Sequence, residues 1–192
     1  MTPDTLLALA NLSAPRKPGR GPALHPDPLA SAPTAAQALG LSRVDAAQVG
    51  ALRDLHQTVA QLVDGLFDGR SVAAPAARLA ELAKPSTATV RIDVAEDHTL
   101  RPWLEWSDPT AVATLARRVA LELAEIDLAR LRRCERPQCN LLFYDTTRSG
   151  TRRWHAESPC GIRERQRRYR TGSRSGSPAR GAEHVEPVAG GA

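Results

Sequence analysis

All three cysteines of the chain lie in one short segment, together with a histidine at matched spacing. Four residues separate Cys134 from Cys139, four separate His155 from Cys160, and fifteen lie between the two pairs. Zn²⁺ takes thiolate and imidazole ligands at the corners of a tetrahedron, and two short-spaced pairs on separate turns supply them with little backbone strain. Because four protein ligands leave no open coordination position, we expect one structural zinc ion and not a catalytic one.

These residues also allow two alternative interpretations. The cysteines could be incidental buried thiols near an unrelated histidine, but two matched pairs in a chain with three cysteines argue against this. A nucleophilic Cys–His pair is the second alternative, although no acid/base network is evident beside it. An odd number of cysteines also argues against a disulfide framework.

Arginine crowds the same segment. Residues 130–174 hold thirteen arginines, no lysine and four acidic residues, a net charge of +9, whereas the rest of the chain holds thirteen basic and seventeen acidic residues, a net charge of −4. A basic end on a mildly acidic body is typical of nucleic-acid contact, and arginine can pair bidentately with phosphate or guanine. The alternative is a solvated surface without a partner. We predict these nucleic-acid-binding residues: Arg148, Arg152, Arg153, Arg163, Arg165, Arg167, Arg168 and Arg170.

Residues 160–170, CGIRERQRRYR, read as a basic helix that starts at the last metal ligand. On such a helix Arg163, Arg167 and Arg170 share one face. The aromatic residues Trp154 and Tyr169 could stack on bases, but we expect each to pack against the zinc loops.

The segment CERPQCNLLFYDTTRSGTRRWHAESPCGIR resembles the CGNR zinc-finger family, whose name-giving signature is represented by Cys160, Gly161, Ile162 and Arg163. The match includes LLFYDTTRSG and RRW. His155 stands where the family usually has cysteine, and Ile162 where it has asparagine. The N-terminal part is more loosely similar to the ABATE domain that precedes this finger. The resemblance implies that the chain is a bacterial transcription regulator with duplex DNA as its partner. Some proteins of this build are linked to stress responses.

The elements that must position this segment are mainly helical, so we predict an α+β fold: a mainly helical N-terminal domain with one small β-hairpin, followed by a small zinc-bound finger and a basic helix. Apolar residues recur at helical spacing from Val44 to Leu66, and a second short helix runs from Pro75 to Pro85. The predicted divisions are a Pro/Gly-rich arm with a short helix at 1–34, an ABATE-like domain at 35–131, the finger at 132–171 and a disordered tail at 172–192.

Between these helices and the cysteines, the pattern predicts a hairpin and one long helix. Residues 89–94 alternate, a second extended run covers 100–106, and Glu96 to His98 form the turn. Trp103 and Trp106 should point to opposite faces, with at least one in the core. The helix should begin with Ser107 or Asp108 as N-cap and run to Leu131.

Composition restricts the function classes. No apolar run is long enough to cross a bilayer, and basic residues follow the short N-terminal apolar patch, the reverse of a secretory signal, so we expect a cytoplasmic protein with no membrane partner. No phosphate-binding loop, catalytic triad or paired carboxylates are evident, and we expect no enzyme. The helical domain could sense a small-molecule ligand, form a homodimer or serve as an interaction scaffold. Zinc modules also bind RNA or protein, which remains the alternative function.

Overall fold

The computed structural model describes residues 2–12, 27–137 and 139–172. The central part of the predicted arm, 13–26, and the predicted tail from residue 173 lie outside the described residues. In the rest, helices dominate and two antiparallel strand pairs are present, which confirms the predicted fold class.

Among the described residues, five α-helices precede the metal segment (residues 130–172): α1 Asp4–Ala10, α2 Ala32–Leu39, α3 Val49–Asp68, α4 Ala73–Ala83 and α5 Ala111–Glu125. The long predicted helix is confirmed as α3, preceded by a short 3₁₀ turn at Ala46–Gln48 and ended by Gly69, whose φ of 63° is left-handed. α4 has Pro75 in its first turn and ends before Pro85, as predicted. Ser31 caps α2 through its side chain, which accepts from the Thr34 amide.

One apolar core joins α1, α3, α4 and α5. Its fully buried members include Leu6 and Leu9 of α1, Leu52 and Leu55 of α3 and Val119 of α5. Because α1 has only seven residues, its orientation depends on tertiary contacts. The Glu122 carboxylate of α5 accepts hydrogen bonds from the backbone amides of Thr5 at 3.0 Å and Leu6 at 2.8 Å, which satisfies donors at the start of α1.

The predicted hairpin is present as β1 Thr87–Val94 and β2 Leu100–Ser107, in a register that pairs Thr87 with Ser107 and Val94 with Leu100. Trp103 and Trp106 do lie on opposite faces. The expectation that one of them is in the core is wrong, since they are 45% and 37% exposed. Each strand packs mainly against the other, so this hairpin projects from the helical core instead of covering it.

The predicted limits of α5 need correction at both ends. Thr110, not Ser107 or Asp108, is the N-cap, and its hydroxyl accepts from the Ala113 amide at 3.1 Å. Asp108 instead forms an ion pair with Arg117 one turn inside the helix. At the other end α5 stops at Glu125, because the chain turns through a 3₁₀ turn at Leu128–Arg130 and enters a strand.

That strand begins the C-terminal segment, which consists of β3 Leu131–Arg133, β4 Leu142–Tyr144, a wide π-type turn at Glu157–Gly161 and α6 Ile162–Gly172. β3 and β4 pair antiparallel, with Leu131 opposite Tyr144. None of the helices in the described part of the chain has the length and apolar character needed to cross a membrane.

Candidate metal centre

The first ligand pair lies on the loop that joins β3 to β4. Cys134 follows β3 directly, and its amide donates to the Leu141 carbonyl at 2.8 Å, which continues the strand pairing past β3. The Cys139 amide donates to the Arg136 carbonyl at 2.9 Å and closes a tight turn. Asn140 adopts a left-handed φ of 53°, which turns the chain back into β4. Both thiols are buried and directed to the same side of the loop.

The second ligand pair precedes α6. His155 is partly buried on the segment before the π-type turn, and Cys160 is fully buried inside that turn. α6 begins at Ile162, two residues after Cys160. The start of the basic helix is therefore fixed by the metal site.

The structure brings the four predicted ligands together. The sulfur atoms of Cys134, Cys139 and Cys160 and the imidazole nitrogen of His155 all lie within 4.8 Å of one another. The Nδ1 atom of His155 is 3.3 Å from the Cys139 Sγ and 3.8 Å from the Cys160 Sγ. Zinc bonds of about 2.3 Å to sulfur and 2.0 Å to nitrogen place tetrahedral ligand atoms roughly 3.5–3.8 Å apart, so the cluster fits a zinc ion.

The protonation of the ligands also suits a cation. Burial raises the pKa of the Cys139 thiol to about 12, because a thiolate without a counter-charge is poorly solvated there. Burial and the neighbouring Arg152 guanidinium lower the pKa of His155, which keeps the imidazole neutral and able to bind a metal. A bound divalent cation would stabilise the thiolates that the protein alone disfavours.

Arg136, between the first two cysteines, is a buried cation that the sequence prediction did not include. Its side chain is 7% exposed, and its Nη1 lies 4.0 Å from the Cys160 Sγ of the second pair. Three thiolates and one Zn²⁺ carry a net charge of −1, which a guanidinium beside a sulfur offsets. Arg136 thus links the two ligand loops through the electrostatics of the site.

The loop between the ligand pairs is organised by Asp145, which is fully buried. Its carboxylate accepts from the Thr147 hydroxyl at 2.6 Å, the Thr147 amide at 2.9 Å and the Arg152 amide at 2.7 Å. These hydrogen bonds, with the Thr147 hydroxyl first among them, lower the pKa of Asp145 to about 2. The DTTRSG motif is therefore a fixed turn, with Arg148 exposed on it.

The eight arginines predicted to bind nucleic acid fall into different surroundings. Arg152 is partly buried and donates to the backbone carbonyl oxygens of Trp154 and His155, so its contacts support the metal loop. Arg153 forms an ion pair with Glu135, and Arg165 with Glu157. Arg148, Arg163 and Arg170 are exposed, the first on the loop and the others on α6.

Arg167 and Arg168 share one acidic partner, Glu164, which is itself buried. The hydrogen bond from Arg167 is the main cause that lowers the pKa of Glu164 to about 2. This acidic residue was not singled out in the sequence. It holds two of the α6 guanidiniums against the helix surface and reduces the local charge that they present.

The two aromatic residues of the segment behave differently. Trp154 packs against the buried cysteines, as predicted. The same expectation for Tyr169 is wrong, because this residue is 78% exposed on α6. No signal in the sequence separates the two, since both follow arginine pairs.

The metal segment is attached to the helical core and does not form a separate unit. Leu131 of β3 and Leu142 of β4 are members of the same buried cluster as the N-terminal helices. The Asn11 side chain, at the end of α1, bonds both backbone groups of Leu142: its Nδ2 donates to the carbonyl and its Oδ1 accepts from the amide, each at 2.8 Å. Arg133 pairs with Asp64 of α3 and lies over the Phe67 ring, 4.9 Å from its centroid.

This attachment bears on what a zinc ion would stabilise. A segment of fewer than 40 residues buries too small a core by itself, so its sequence predicts that zinc supplies much of its folding free energy. In the structure β3 and β4 share the larger core, so the metal stabilises the ligand loops and the start of α6, while apolar burial stabilises the strands. His56 of α3 is partly buried, and its Nδ1 lies 2.9 Å from the Leu9 carbonyl of α1.

Comparison with known proteins agrees with this geometry. Residues 130–172 match the family model described as CGNR zinc finger. No curated protein matches the chain. The family match and the four-residue cluster together indicate one structural zinc site. The match does not extend to the helical part, whose likeness to the ABATE domain stays a prediction.

Proposed function

We propose that residues 130–172 bind double-stranded DNA and that the chain is a bacterial transcription regulator acting at the nucleoid in the cytoplasm. One observation carries the proposal: α6 starts from the zinc cluster and has five exposed arginines on a helix of eleven residues. Residues 130–172 hold twelve arginines and four acidic residues, a net charge of +8. A helix fixed at one end by a metal site and dense in arginine suits insertion into a DNA groove.

The ion pairs within the segment determine which of these arginines can contact phosphate. Arg165 forms an exposed ion pair with Glu157, and such a pair contributes little free energy and exchanges readily for phosphate. Arg167 and Arg168 are paired with the buried Glu164, which holds them more firmly on the helix. Arg148 and Arg170 are exposed, with no ion pair to the part of the chain that the structure describes. If about five to seven arginines contact phosphate, the log–log slope of affinity against salt is on the order of −4 to −6.

A binding assay with matched charge reversals tests the proposal. Arg148→Glu and Arg170→Glu should each weaken binding of a labelled duplex, and each should reduce the salt slope by about one. Arg43→Glu is the control, since Arg43 is highly exposed and lies in the acidic body beside Asp45. Equal binding by all three variants, or binding that persists after zinc is chelated, contradicts the proposal.

Recovery of bound DNA fragments across a genome identifies the target sites. The full chain should enrich a limited set of fragments, whereas His155→Ala, which removes one metal ligand, should not. The same enrichment by both proteins counts against a zinc-dependent DNA-binding segment.

RNA binding is the second candidate, because Tyr169 is 78% exposed on the basic helix and an exposed aromatic ring can stack on an unpaired base. Competition between a duplex and a single-stranded RNA of equal length at fixed salt separates the two. Preference for RNA that is lost in Tyr169→Ala supports this candidate over duplex DNA.

The N-terminal domain, with its helices and hairpin, would then control the finger by sensing a small ligand or by dimerisation. Direct contacts with the finger support such control: Asn11 at the end of α1 binds β4, and Asp64 of α3 binds β3, the two strands that flank the first cysteine pair. A conformational change in these helices would therefore move the loops that hold the metal ligands.

A further inference from the structure

The β1–β2 hairpin has one face made entirely of apolar residues. Strand alternation and the cross-strand register place four pairs on that face, and none of their side chains carries a charge or a hydrogen-bonding group other than the Trp106 indole. The members are Ala88 with Trp106, Val90 with Leu104, Ile92 with Pro102, and Val94 with Leu100.

The opposite face is polar and charged. It pairs Thr89 with Glu105, Arg91 with Trp103, and Asp93 with Arg101, and Arg91 forms an ion pair with Glu105. These charged groups are costly to bury, so this face belongs in water. Only the apolar face is suited to contact with another surface.

Within the described part of the chain, the apolar face is left largely uncovered, except near Trp106. Exposure rises along it, from 37% at Trp106, where the Arg117 guanidinium lies 4.4 Å from the ring centroid, to 67% at Leu100 near the hairpin tip. Of the thirteen large hydrophobic residues exposed within residues 2–12, 27–137 and 139–172, six lie on this one face. A two-stranded hairpin alone is marginally stable in water, and an apolar patch of this size marks an interaction site.

We infer that the apolar face packs on the same face of a second copy of this chain, forming a dimer through a two-layer, four-stranded β-sandwich. The face is apolar and uncharged, so its partner must be apolar, and among the described residues this face holds six of the thirteen exposed large hydrophobic side chains. In such a sandwich the apolar faces meet and both polar faces stay in water.

The area agrees with a dimer. Six partly exposed side chains at roughly 100 Å² each give about 600 Å² per chain. Two faces together would bury about 1,200 Å², which is the lower limit for a specific stable interface. The contact is isologous, so one surface serves both copies and the assembly closes at two chains.

This inference deepens the proposed function, since it locates on the hairpin the dimerisation that was assigned there to the N-terminal domain, and the two can fail separately. A two-fold dimer would carry two copies of α6, as suits a DNA site of two half-sites. The interface itself requires no DNA, and the test is therefore made without it.

The experiment is sedimentation equilibrium of the zinc-loaded full chain from about 1 μM to about 100 μM, a range in which an interface of this size dissociates measurably. The wild-type chain should change from one to two copies. Leu104→Glu, which places two charges in the dimer interface, should raise the dissociation constant by more than about 100-fold. Trp103→Glu is the matched control: it makes the same kind of change at the preceding residue of β2, on the polar face, and should dimerise like wild type.

Circular dichroism and bound zinc show whether each variant keeps its fold. A wild-type chain that stays monomeric over the whole concentration range overturns the inference. The occupant of the face would then be residues 13–26, residues 173–192 or another protein. Equal weakening by Leu104→Glu and Trp103→Glu also overturns it. A dimer that is sensitive to Leu104→Glu but binds no DNA supports the interface and refutes only the proposed function.

Discussion

Removal of the Asn11 side chain tests whether the zinc segment and the N-terminal helices form one cooperative unit. Asn11 makes two hydrogen bonds of 2.8 Å to the backbone of Leu142, which is a buried residue. Each bond contributes about 0.5–1.5 kcal/mol, and a buried group left without a partner costs about 1–3 kcal/mol. We therefore expect Asn11→Ala to lower the free energy of unfolding by about 2–3 kcal/mol.

The same substitution should also increase the rate of zinc release. Leu142 begins β4, directly after the loop that carries Cys134 and Cys139, so loss of the α1 contact loosens that loop. Zinc transfer to an excess of a coloured chelator should be faster by roughly ten-fold or more, since about 1.4 kcal/mol corresponds to a factor of ten. Urea denaturation of the zinc-loaded protein gives the first quantity and stopped-flow absorbance gives the second.

Gln61→Ala on α3 is the control, because Gln61 is exposed and helical and its replacement by alanine should change neither quantity. A loss of less than about 0.5 kcal/mol in Asn11→Ala would show that the two bonds do not hold the strands. A clear loss of stability with unchanged zinc release would show instead that the finger folds independently of the helices. Either result refutes the coupling deduced from the shared core.

Three further outcomes are expected. Arg136→Met, which keeps most of the side-chain volume but removes the donor beside the thiolates, should weaken zinc binding by roughly 10–100-fold in competition with a chelator, and unchanged affinity would exclude its electrostatic role. Hydrogen bonding from Arg117 lowers the pKa of Asp108 from 3.8 to about 2, so its stabilisation is complete above the unfolded pKa and is lost as the pH falls from about 4 to 2. Asp108→Asn should therefore cost about 1–2 kcal/mol in urea denaturation at pH 7 and much less near pH 2, and a pH-independent loss would contradict this account. Glu157→Gln, which frees the exposed Arg165, should make the salt slope of duplex binding steeper by about one in fluorescence anisotropy, and an unchanged slope would show that Arg165 does not reach phosphate.

The sequence predicted the metal ligands and the main helices because both signals are local. Two pairs of ligands, each with four residues between its members, must lie on two turns, and the remaining question is only whether the turns meet. Helical periodicity likewise located α3 and α4, since a face that repeats every three or four residues can be buried only as a helix. The alternation of residues 89–94 located the hairpin for the same reason.

The errors arose where a residue's role depends on distant parts of the chain. Leu128 and Leu131 continue the apolar pattern of α5, yet pairing of β3 with β4 draws Leu131 into a strand and leaves Leu128 exposed in a turn. At least one hairpin tryptophan was predicted to lie in the core, but the helices bury their faces on one another and leave the hairpin outside. The local sequence pattern predicts that one face of an element is apolar, but it does not predict which other element covers that face.

By itself, the sequence determined that this protein has a four-ligand zinc cluster, a basic helix beginning at that cluster and a mainly helical region before it. Tertiary structure alone decided how these parts are joined and how the charge is distributed. Asn11 reaches Leu142 across 131 positions, Glu122 caps a helix more than 110 positions earlier, and Arg136 meets the thiol of the opposite ligand pair. Such contacts follow from the packing of whole helices and strands. The two partners of each contact are not at a characteristic sequence spacing, so the sequence alone does not pair them.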